Sequence, residues 1–430
     1  YAGTDDGNLR VTMDGGKTWI AWEKNFRGLP PDSAVSHIEP SAASADVVYV
    51  SFDRHKLDDY KPYVFKTADG GKSFTNIAGN LPEKAYVHIV REDPKNANLI
   101  YAGTENGLYA SWDGGREWRE LNLKNLPRVA VHDILIHPRD NDLIIATHGR
   151  SVWVFDDATP IQQMTAGLLN ETGHVFDIRP AYRYATMMTR YGVGDKIFRG
   201  QNPPGGAIIT YVLKDKADEK TPVKMQVFDA AGKLIVENKN LAKEKGINRT
   251  AWNLSYAGSR PRRPPAGEGG FQGQGNGPQV LPGTYTVKIY VGDKLIGERR
   301  VEVRVDPTVQ VTPAELQAQH DLALKLRDMS SSMNDGLRLL DSAKTQIDQI
   351  EATAKDRLTE VPADMTKAIA DYKKRLNDIL GQLATTPEDG SRAPARFSDQ
   401  LGNLYGTISD GNFGPTPTMK ENYELLKKGL

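Results

Sequence analysis

The sequence predicts a multidomain chain that is mainly β in its first two thirds and α in its last third. Three observations lead to this prediction: a repeated turn motif near the start, short alternating strands in the middle, and a heptad pattern of apolar residues at the end. The predicted parts are a partial β-propeller over residues 1–157, a connector over 158–198, a β-sandwich over 199–307 and an antiparallel helical bundle over 310–430. A length of 430 residues agrees with several domains rather than one.

The repeated turn has the pattern Ser/Thr-x-Asp-Gly-Gly, with an aromatic residue three positions later. It occurs from Thr12 to Trp19, from Thr67 to Phe74 and from Ser111 to Trp118. The Asp accepts hydrogen bonds from backbone N–H groups, the glycines allow positive φ, and the aromatic residue anchors the turn in its sheet. Six residues are therefore interpreted as structural: Asp14, Trp19, Asp69, Phe74, Asp113 and Trp118. Such turns can also bind Ca²⁺, but the spaced carboxylates of an EF-type loop are absent, and the sequence predicts no metal and no cofactor.

The repeats are too few for a closed propeller. Residues 1–22 look like the back half of one blade, fuller blades follow near 34–80 and 86–124, and the stretch from Val129 to Asp157 opens a blade that lacks its turn motif. If the two partial pieces complete one another, the total is three, whereas closed propellers have about four to eight blades. An open arc exposes strand edges and part of its core. The sequence therefore predicts that the chain is a fragment, with the rest of the propeller in further sequence or in a partner chain.

The turn motif resembles the Asp-box of BNR repeats, which occurs in sialidases, xyloglucanase-type glycoside hydrolases and sortilin-type receptors. In the middle region, Asn202-Pro-Pro-Gly-Gly-Ala207, Asn248-Arg-Thr-Ala-Trp-Asn-Leu254 and Pro282-Gly-Thr-Tyr-Thr-Val287 resemble the immunoglobulin-like domain of bacterial exported proteins. The order of propeller, sandwich and helical tail is similar to that of large proteins labelled as BNR-repeat glycosyl hydrolases. The resemblance implies an immunoglobulin-like sandwich and a secreted or cell-envelope location in a bacterium.

One loop of the predicted sandwich is rich in Pro and Gly. It runs from Arg260 to Gly277 and carries Arg262 and Arg263 near its start. We interpret it as a solvated hairpin loop or, alternatively, as a loop that binds a ligand or partner.

The last part of the chain has the pattern of a helical bundle. Thr312-Pro-Ala-Glu315 predicts a capping box at the start of a long helix. Apolar residues then recur at alternating intervals of four and three, and this stripe includes Ile350, Tyr372 and Ile379. Breaks at Pro362, Pro387 and Pro415 predict three shorter helices after the long one. Short connections favour an antiparallel bundle.

Composition excludes several classes of function. The chain has 55 Lys+Arg against 55 Asp+Glu, so it offers no net positive charge for nucleic acid. It has no cysteine, which excludes a disulfide scaffold, a cysteine nucleophile and a thiolate metal site. No apolar stretch approaches the roughly 18 residues that a transmembrane helix needs.

Candidate binding residues lie on turns between predicted propeller strands, since propellers bind ligands over the central channel. These channel-face candidates are Asp5, Asp6, Glu105, His148 and Arg150. His132 and Asp133 lie near a strand end of the last partial blade. The alternative is that all are ordinary turn and strand-end residues. Glycoside hydrolysis needs a pair of carboxyl groups across the scissile bond, and no such pair or arginine cluster is identified in this chain.

Two functions follow from these observations. The first is a binding or scaffold role for a glycan, peptide or protein partner, in the C-terminal portion of a large exported BNR-repeat propeller protein. The alternative is a sialidase- or xyloglucanase-like glycoside hydrolase whose catalytic acids lie mainly in the missing blades. The catalytic residues are unknown on either hypothesis.

Overall fold

The computed structural model describes residues 1–123, 125–165, 167–184, 200–262, 277–385, 394–409 and 411–429. The chain divides into two compact units, Tyr1–Glu171 and Thr172–Leu430. Parts of the predicted connector, Arg263 and Pro387 lie outside the described residues. No helix in the described part of the chain is long and apolar enough to span a membrane.

The first unit contains four antiparallel sheets, which follow one another along the chain and in which each strand pairs with the next. Sheet 1 consists of β1 (Ala2–Gly3), β2 (Leu9–Val11) and β3 (Ile20–Ala21). Sheet 2 consists of β4 (Ala34–Pro40), β5 (Val48–Arg54), β6 (Asp59–Thr67) and β7 (Thr75–Asn76). Sheet 3 consists of β8 (Val87–Asp93), β9 (Asn96–Thr104), β10 (Gly107–Ser111) and β11 (Arg119–Glu120). Sheet 4 consists of β12 (Val131–Ile136), β13 (Leu143–Thr147) and β14 (Val152–Phe155), followed by the short helix α1 (Thr159–Gln162).

Successive sheets pack face to face around three apolar clusters. The first strands of neighbouring sheets lie together, because β4 contacts β8 and β8 contacts β12. Sheet 3 is therefore covered on both faces, and all residues of its third strand β10 are buried. Sheet 4 packs against sheet 3, and its third strand β14 alternates between exposed and half-buried residues.

The repeated turns connect the second and third strands of sheet 1, and the third and fourth strands of sheets 2 and 3. In the first turn, Asp14 Oδ1 accepts hydrogen bonds from the backbone N–H groups of Lys17 and Thr18, both at 2.9 Å. Asp69 accepts from the Ser73 N–H at 3.0 Å, and its other oxygen accepts from the Ser73 hydroxyl at 2.6 Å. The two glycines of each turn have positive φ, for example 74° at Gly15 and 93° at Gly16.

The aromatic residues that close these turns differ in burial. Phe74 and Trp118 are 7% and 3% exposed, and Trp118 Nε1 donates to the Ile77 carbonyl of the preceding repeat at 2.8 Å. Trp19 is 49% exposed and donates only within its own turn, to the Gly16 carbonyl at 3.2 Å. The anchoring role predicted for Trp19 therefore does not match the structure. The reason is that no described sheet precedes sheet 1 to cover this side chain.

The second unit begins with two sheets that share one apolar core. In sheet 5, β17 (Ala207–Leu213) lies between β15 (Gly173–Val175) and β20 (Gly246–Trp252). Sheet 6 has the order β16 (Ala181–Arg183), β22 (Lys294–Val305), β21 (Gly283–Val291), β18 (Val223–Phe228) and β19 (Leu234–Asn238). Among the described strands of sheets 5 and 6, only β16 pairs in parallel, with β22. The strands of the predicted connector, β15 and β16, thus extend the two sheets at their edges.

Four helices in the described residues complete the second unit. They are α2 (Pro313–Arg357), α3 (Ala363–Leu383), α4 (Phe397–Ser409) and α5 (Pro417–Gly429). The capping box at the start of α2 is formed: the Thr312 hydroxyl accepts from the Glu315 N–H at 3.2 Å, and Glu315 Oε2 accepts from the Thr312 N–H at 2.8 Å. The helices α2, α3, α4 and α5 pack around one apolar cluster.

The predicted apolar stripe is covered over only part of its length. Ile350, Tyr372 and Ile379 are 48%, 46% and 44% exposed. They lie where the second half of α2 packs against α3, as the contacts of Lys373 with Asp348 and Glu351 show. The first half of α2, by contrast, shares its apolar cluster with residues of α3, α4 and α5, and a pair of helices encloses its apolar sides less fully.

Polar contacts join the sheets of the second unit to its helices. Arg260 and Arg262, at the start of the Pro/Gly-rich loop, form two-pronged ion pairs with Asp335 and Asp341 of α2. These two arginines of the loop therefore bind carboxylates of α2 in the same chain.

A buried arginine makes a second such connection. Arg183 at the end of β16 is 1% exposed and donates to Gln279 at 2.8 Å and to Gln319 of α2 at 3.4 Å. Burial lowers the pKa of Arg183 to about 10, so the guanidinium stays charged at neutral pH.

Candidate functional site

A β-bulge occurs at the same place in the first strands of sheets 2, 3 and 4. Each bulge lies near the start of the strand, where the register against the second strand shifts by one residue. The bulged residues are Ser36 on β4, His88 on β8 and His132 on β12. Since the first strands lie side by side, these three residues come to the same end of neighbouring sheets.

The turns after the second strands reach this same end. The backbone N–H of Glu105, after β9, donates to the Tyr86 carbonyl at 3.1 Å, and the N–H of His148, after β13, donates to the Ala130 carbonyl at 2.9 Å. These bonds hold each turn beside the residues that precede β8 and β12. Glu105 is thereby placed next to His88, and His148 next to His132.

Three side chains meet at the centre of this region. His88 Nε2 lies 3.1 Å from Glu105 Oε2, and the rings of His88 and His132 have centroids 4.0 Å apart. One donor atom from each of His88, Glu105 and His132 lies within 4.8 Å of the other two. The His88 side chain is only 16% exposed, whereas that of Glu105 is 41% exposed.

Hydrogen bonds hold Glu105 in its ionised form. Partial burial by itself raises the pKa of this carboxyl, but the hydrogen bonds from His88 and Tyr86 outweigh it and lower the pKa below the ordinary value. The Tyr86 hydroxyl donates to Glu105 Oε2 at 2.9 Å. Burial, together with the neighbouring His88 and His148, lowers the pKa of His132. At neutral pH the group therefore combines a carboxylate with a neutral imidazole of His132.

Ring contacts extend this group across three sheets. His55 stacks on Tyr86 with centroids 4.9 Å apart, and Tyr86 meets the edge of His88 at 5.0 Å. At the other end, His132 and His148 have centroids 5.0 Å apart. We call these contacting side chains the aromatic row: His55, Tyr60, Tyr86, His88, His132 and His148.

The residues predicted from sequence fall at different places around this row. Glu105 and His148 belong to the group just described. Asp6 is held within its own turn by Thr4 and by Asn8 Nδ2 at 2.8 Å, and Asp5 is an exposed residue of the same turn in sheet 1.

Two further residues named from sequence lie beside the row rather than in it. Arg150 donates to the Gly149 carbonyl at 3.0 Å. Asp133 accepts from the Ile134 N–H at 2.8 Å and lies 3.5 Å from Arg91.

His88, Tyr86 and His55 were not identified from sequence. A signal for His88 was present, because Tyr86-Val-His-Ile89 and Ala130-Val-His-Asp-Ile134 are corresponding phrases of two repeats. Aligning the repeats through these phrases places His88 opposite His132. No comparable signal marks His55, whose contact with Tyr86 depends on how sheet 2 packs against sheet 3.

Comparison with known proteins gives weak likenesses only. No protein-family model matches the chain, and no curated protein matches it. Similar solved structures include an ancestral GH74 enzyme, with 13% identity, a TM-score of 0.29 and coverage of 59% of this chain and 32% of that one. The GH74 enzyme of Niastella koreensis has 13% identity and a TM-score of 0.29, over 69% of this chain and 43% of that one. YCF48 bound to D1 peptide has 11% identity and a TM-score of 0.26, over 70% of this chain and 76% of that one.

These three proteins are β-propeller-like. The chain spans less than half the length of the two GH74 enzymes. Likenesses at such scores do not bear on the activity of this chain. The proposed function is therefore argued from the residues of the aromatic row.

Proposed function

We propose that this chain is the binding portion of a larger β-propeller protein and that it holds an oligosaccharide over the aromatic row. The observation that carries the proposal is the continuous row of imidazole and phenol rings across sheets 2, 3 and 4. Flat aromatic faces supply apolar contact area, and their ring nitrogens and hydroxyls supply directed hydrogen bonds. A sugar ring presents both an apolar face and hydroxyl groups, and so it matches this surface.

The propeller part of the proposal rests on the two end sheets. β14 in sheet 4 exposes Val152 and Val154 at 59% and 56%, whereas the corresponding strand β10 in sheet 3 is buried on both sides. In sheet 1, Ile20 is 53% exposed. Further sheets packed against these faces, from other sequence of the same protein or from a partner chain, would cover them as the inner sheets are covered.

The finer domain assignment is also part of the proposal. We propose a partial propeller over residues 1–157, an immunoglobulin-like sandwich over 199–307 and a helical bundle over 310–430. Two sheets around one core that contains the buried Trp252 support the middle assignment. The resemblance of the repeated turns to BNR repeats supports a secreted or cell-envelope location.

A binding role fits the described carboxylates better than glycoside hydrolysis does. A hydrolase needs a carboxylic acid that keeps its proton near neutral pH, together with a second carboxylate across the bond. The pKa of Glu105 is lowered, and Asp53 pairs with His55 at 2.6 Å. Burial raises the pKa of Glu39, but Glu39 is only 8% exposed and is paired with Arg91. Glu39 is thus the described carboxyl group with a raised pKa, and its burial keeps it out of reach of a substrate.

The test is to screen the full chain against an array of oligosaccharides and to measure the affinity of any that bind by calorimetry. We expect Tyr86→Ala to weaken binding by roughly tenfold, since it removes a central ring of the row. Tyr184→Ala is the matched control, because Tyr184 is an exposed tyrosine of the second unit. Equal affinity in both variants would contradict the proposed surface. If the chain binds peptides and not glycans, the proposed ligand class is wrong. If the chain hydrolyses an oligosaccharide and Glu105→Gln abolishes this hydrolysis, the glycoside hydrolase hypothesis is favoured.

A further inference from the structure

We propose that His88, Glu105 and His132 form a binding site for Zn²⁺ or a chemically similar divalent transition metal. The juxtaposition behind this inference is two imidazoles and one carboxylate from two different sheets, with donor atoms within 4.8 Å of one another. The inference does not rest on the proposed binding of an oligosaccharide, because it concerns the ion alone.

The spacing of the three groups is close to that of a zinc site. Zinc ligands lie about 2.0–2.2 Å from the ion, which places two ligands of a tetrahedron about 3.3 Å apart. The 3.1 Å between His88 Nε2 and Glu105 Oε2 already meets this distance. Glu105 and His132 are more exposed than His88, and a ligand atom of His132 lies within 4.8 Å of those of the other two residues.

The surroundings supply the support that a metal ligand needs. Ligating side chains in proteins are held by further hydrogen bonds that orient them and adjust their affinity. Tyr86 supplies one such bond, from its hydroxyl to Glu105 Oε2, and the half-buried ring of His88 is packed between Tyr86 and His132. Three protein ligands leave the fourth position of a tetrahedral ion open to water or to an oxygen of a bound molecule.

The donor set selects the kind of metal. Imidazole nitrogens suit Zn²⁺, Co²⁺, Ni²⁺ and Cu²⁺, whereas Ca²⁺ and Mg²⁺ prefer sites made of oxygen atoms. The site therefore takes the first group and rejects the second. Because His88 and Glu105 belong to sheet 3 and His132 to sheet 4, the ion links two sheets, and its binding stabilises the first unit.

The experiment is to titrate the full chain, freed of metal by a chelator, with Zn²⁺ in a calorimeter and with Co²⁺ in a spectrophotometer. We expect binding of a single ion, visible Co²⁺ bands of a tetrahedral site and a higher melting temperature with Zn²⁺ but not with Ca²⁺. His88→Gln and His132→Gln should each weaken Zn²⁺ binding by at least about tenfold. His174→Gln, which removes a histidine of the second unit, should leave the affinity unchanged.

Two results would overturn the inference. Failure of Zn²⁺ and Co²⁺ to bind to the unaltered chain would show that the three side chains form a hydrogen-bonded group only. Binding of equal strength in His88→Gln, His132→Gln and His174→Gln would place the ion elsewhere. Circular dichroism of each metal-free variant checks that the fold is kept, and Glu105→Gln provides a third variant if one histidine change unfolds the protein. Oligosaccharide binding is also measured in excess chelator, where no metal is bound. This measurement tests the proposed function separately from the metal site.

Discussion

The carboxylates of the repeated turns are held ionised by hydrogen bonds within the turns themselves. The N–H and hydroxyl of Thr18 lower the pKa of Asp14 to about 2, and the hydroxyl and N–H of Ser73 lower that of Asp69 to about 2. The ordinary value is 3.8, so each folded-state pKa is depressed. Their contribution to stability is therefore complete above the ordinary pKa and is lost as the pH falls toward 2.

We expect Asp69→Asn to lower the melting temperature at neutral pH, because the amide replaces a charged acceptor of two Ser73 hydrogen bonds. The difference from the unaltered protein should narrow as the pH falls from about 4 toward 2, where Asp69 itself becomes protonated. Thermal unfolding followed by circular dichroism over this pH range measures the effect. Asp5→Asn, at an exposed turn residue, is the control. A difference that stays constant with pH would show that ionisation of Asp69 is not its source.

Among the elements, α2 is joined to its neighbours by a buried polar side chain, Gln319. Gln319 is 2% exposed and accepts a hydrogen bond from Arg183 of β16. Its amide nitrogen donates to the Ile408 carbonyl of α4 at 2.6 Å and to the Gly411 carbonyl beyond that helix. One residue thus joins α2 to a strand of sheet 6 and to the end of α4.

We expect Gln319→Leu to lower the free energy of unfolding by several kcal/mol, since each buried polar group left without a partner costs about 1–3 kcal/mol. Gln317→Leu on the exposed side of the same helix is the matched control and should change stability by less than about 0.5 kcal/mol. Denaturant unfolding gives both values. Similar losses in the two variants would mean that leucine disturbs α2 in a general way and that the Gln319 network adds little.

At the scale of the whole molecule, the last sheet of the first unit carries exposed apolar side chains. Sheet 4 has Val152 and Val154 exposed on its last strand, together with Leu135 on its first strand. An exposed apolar face next to a free strand edge favours association with another sheet.

We expect the chain to self-associate as its concentration rises, and the double variant Val152→Lys with Val154→Lys to do so less. The added charges oppose burial of this face. Sedimentation velocity over a range of concentrations provides the measurement. Leu339→Lys, at a residue of α2 that is 73% exposed, controls for added charge on an apolar residue elsewhere. If all proteins associate equally, sheet 4 is not the contact surface.

Much of the local structure could be predicted from sequence because it depends on residues close together in the chain. The hydrogen bonds of the repeated turns join residues three or four apart, as in Asp14 with Lys17 and Thr18. The capping box of Thr312 and Glu315 has the same range. Heptad spacing predicted the helices, and alternation of apolar and polar residues predicted the strands. Both patterns arise within a single element that buries one side and exposes the other.

The tertiary structure alone decided which of these elements meet. The group of His88, Glu105 and His132 exists because sheet 3 packs against sheet 4 with both bulges at one end. In the same way, the exposure of Trp19 and Ile350 depends on whether a neighbouring sheet or helix is present to cover them. A sequence pattern records that a side chain is suited to burial or to binding. Packing between distant segments determines whether a partner is there, and so it is packing that creates the candidate site.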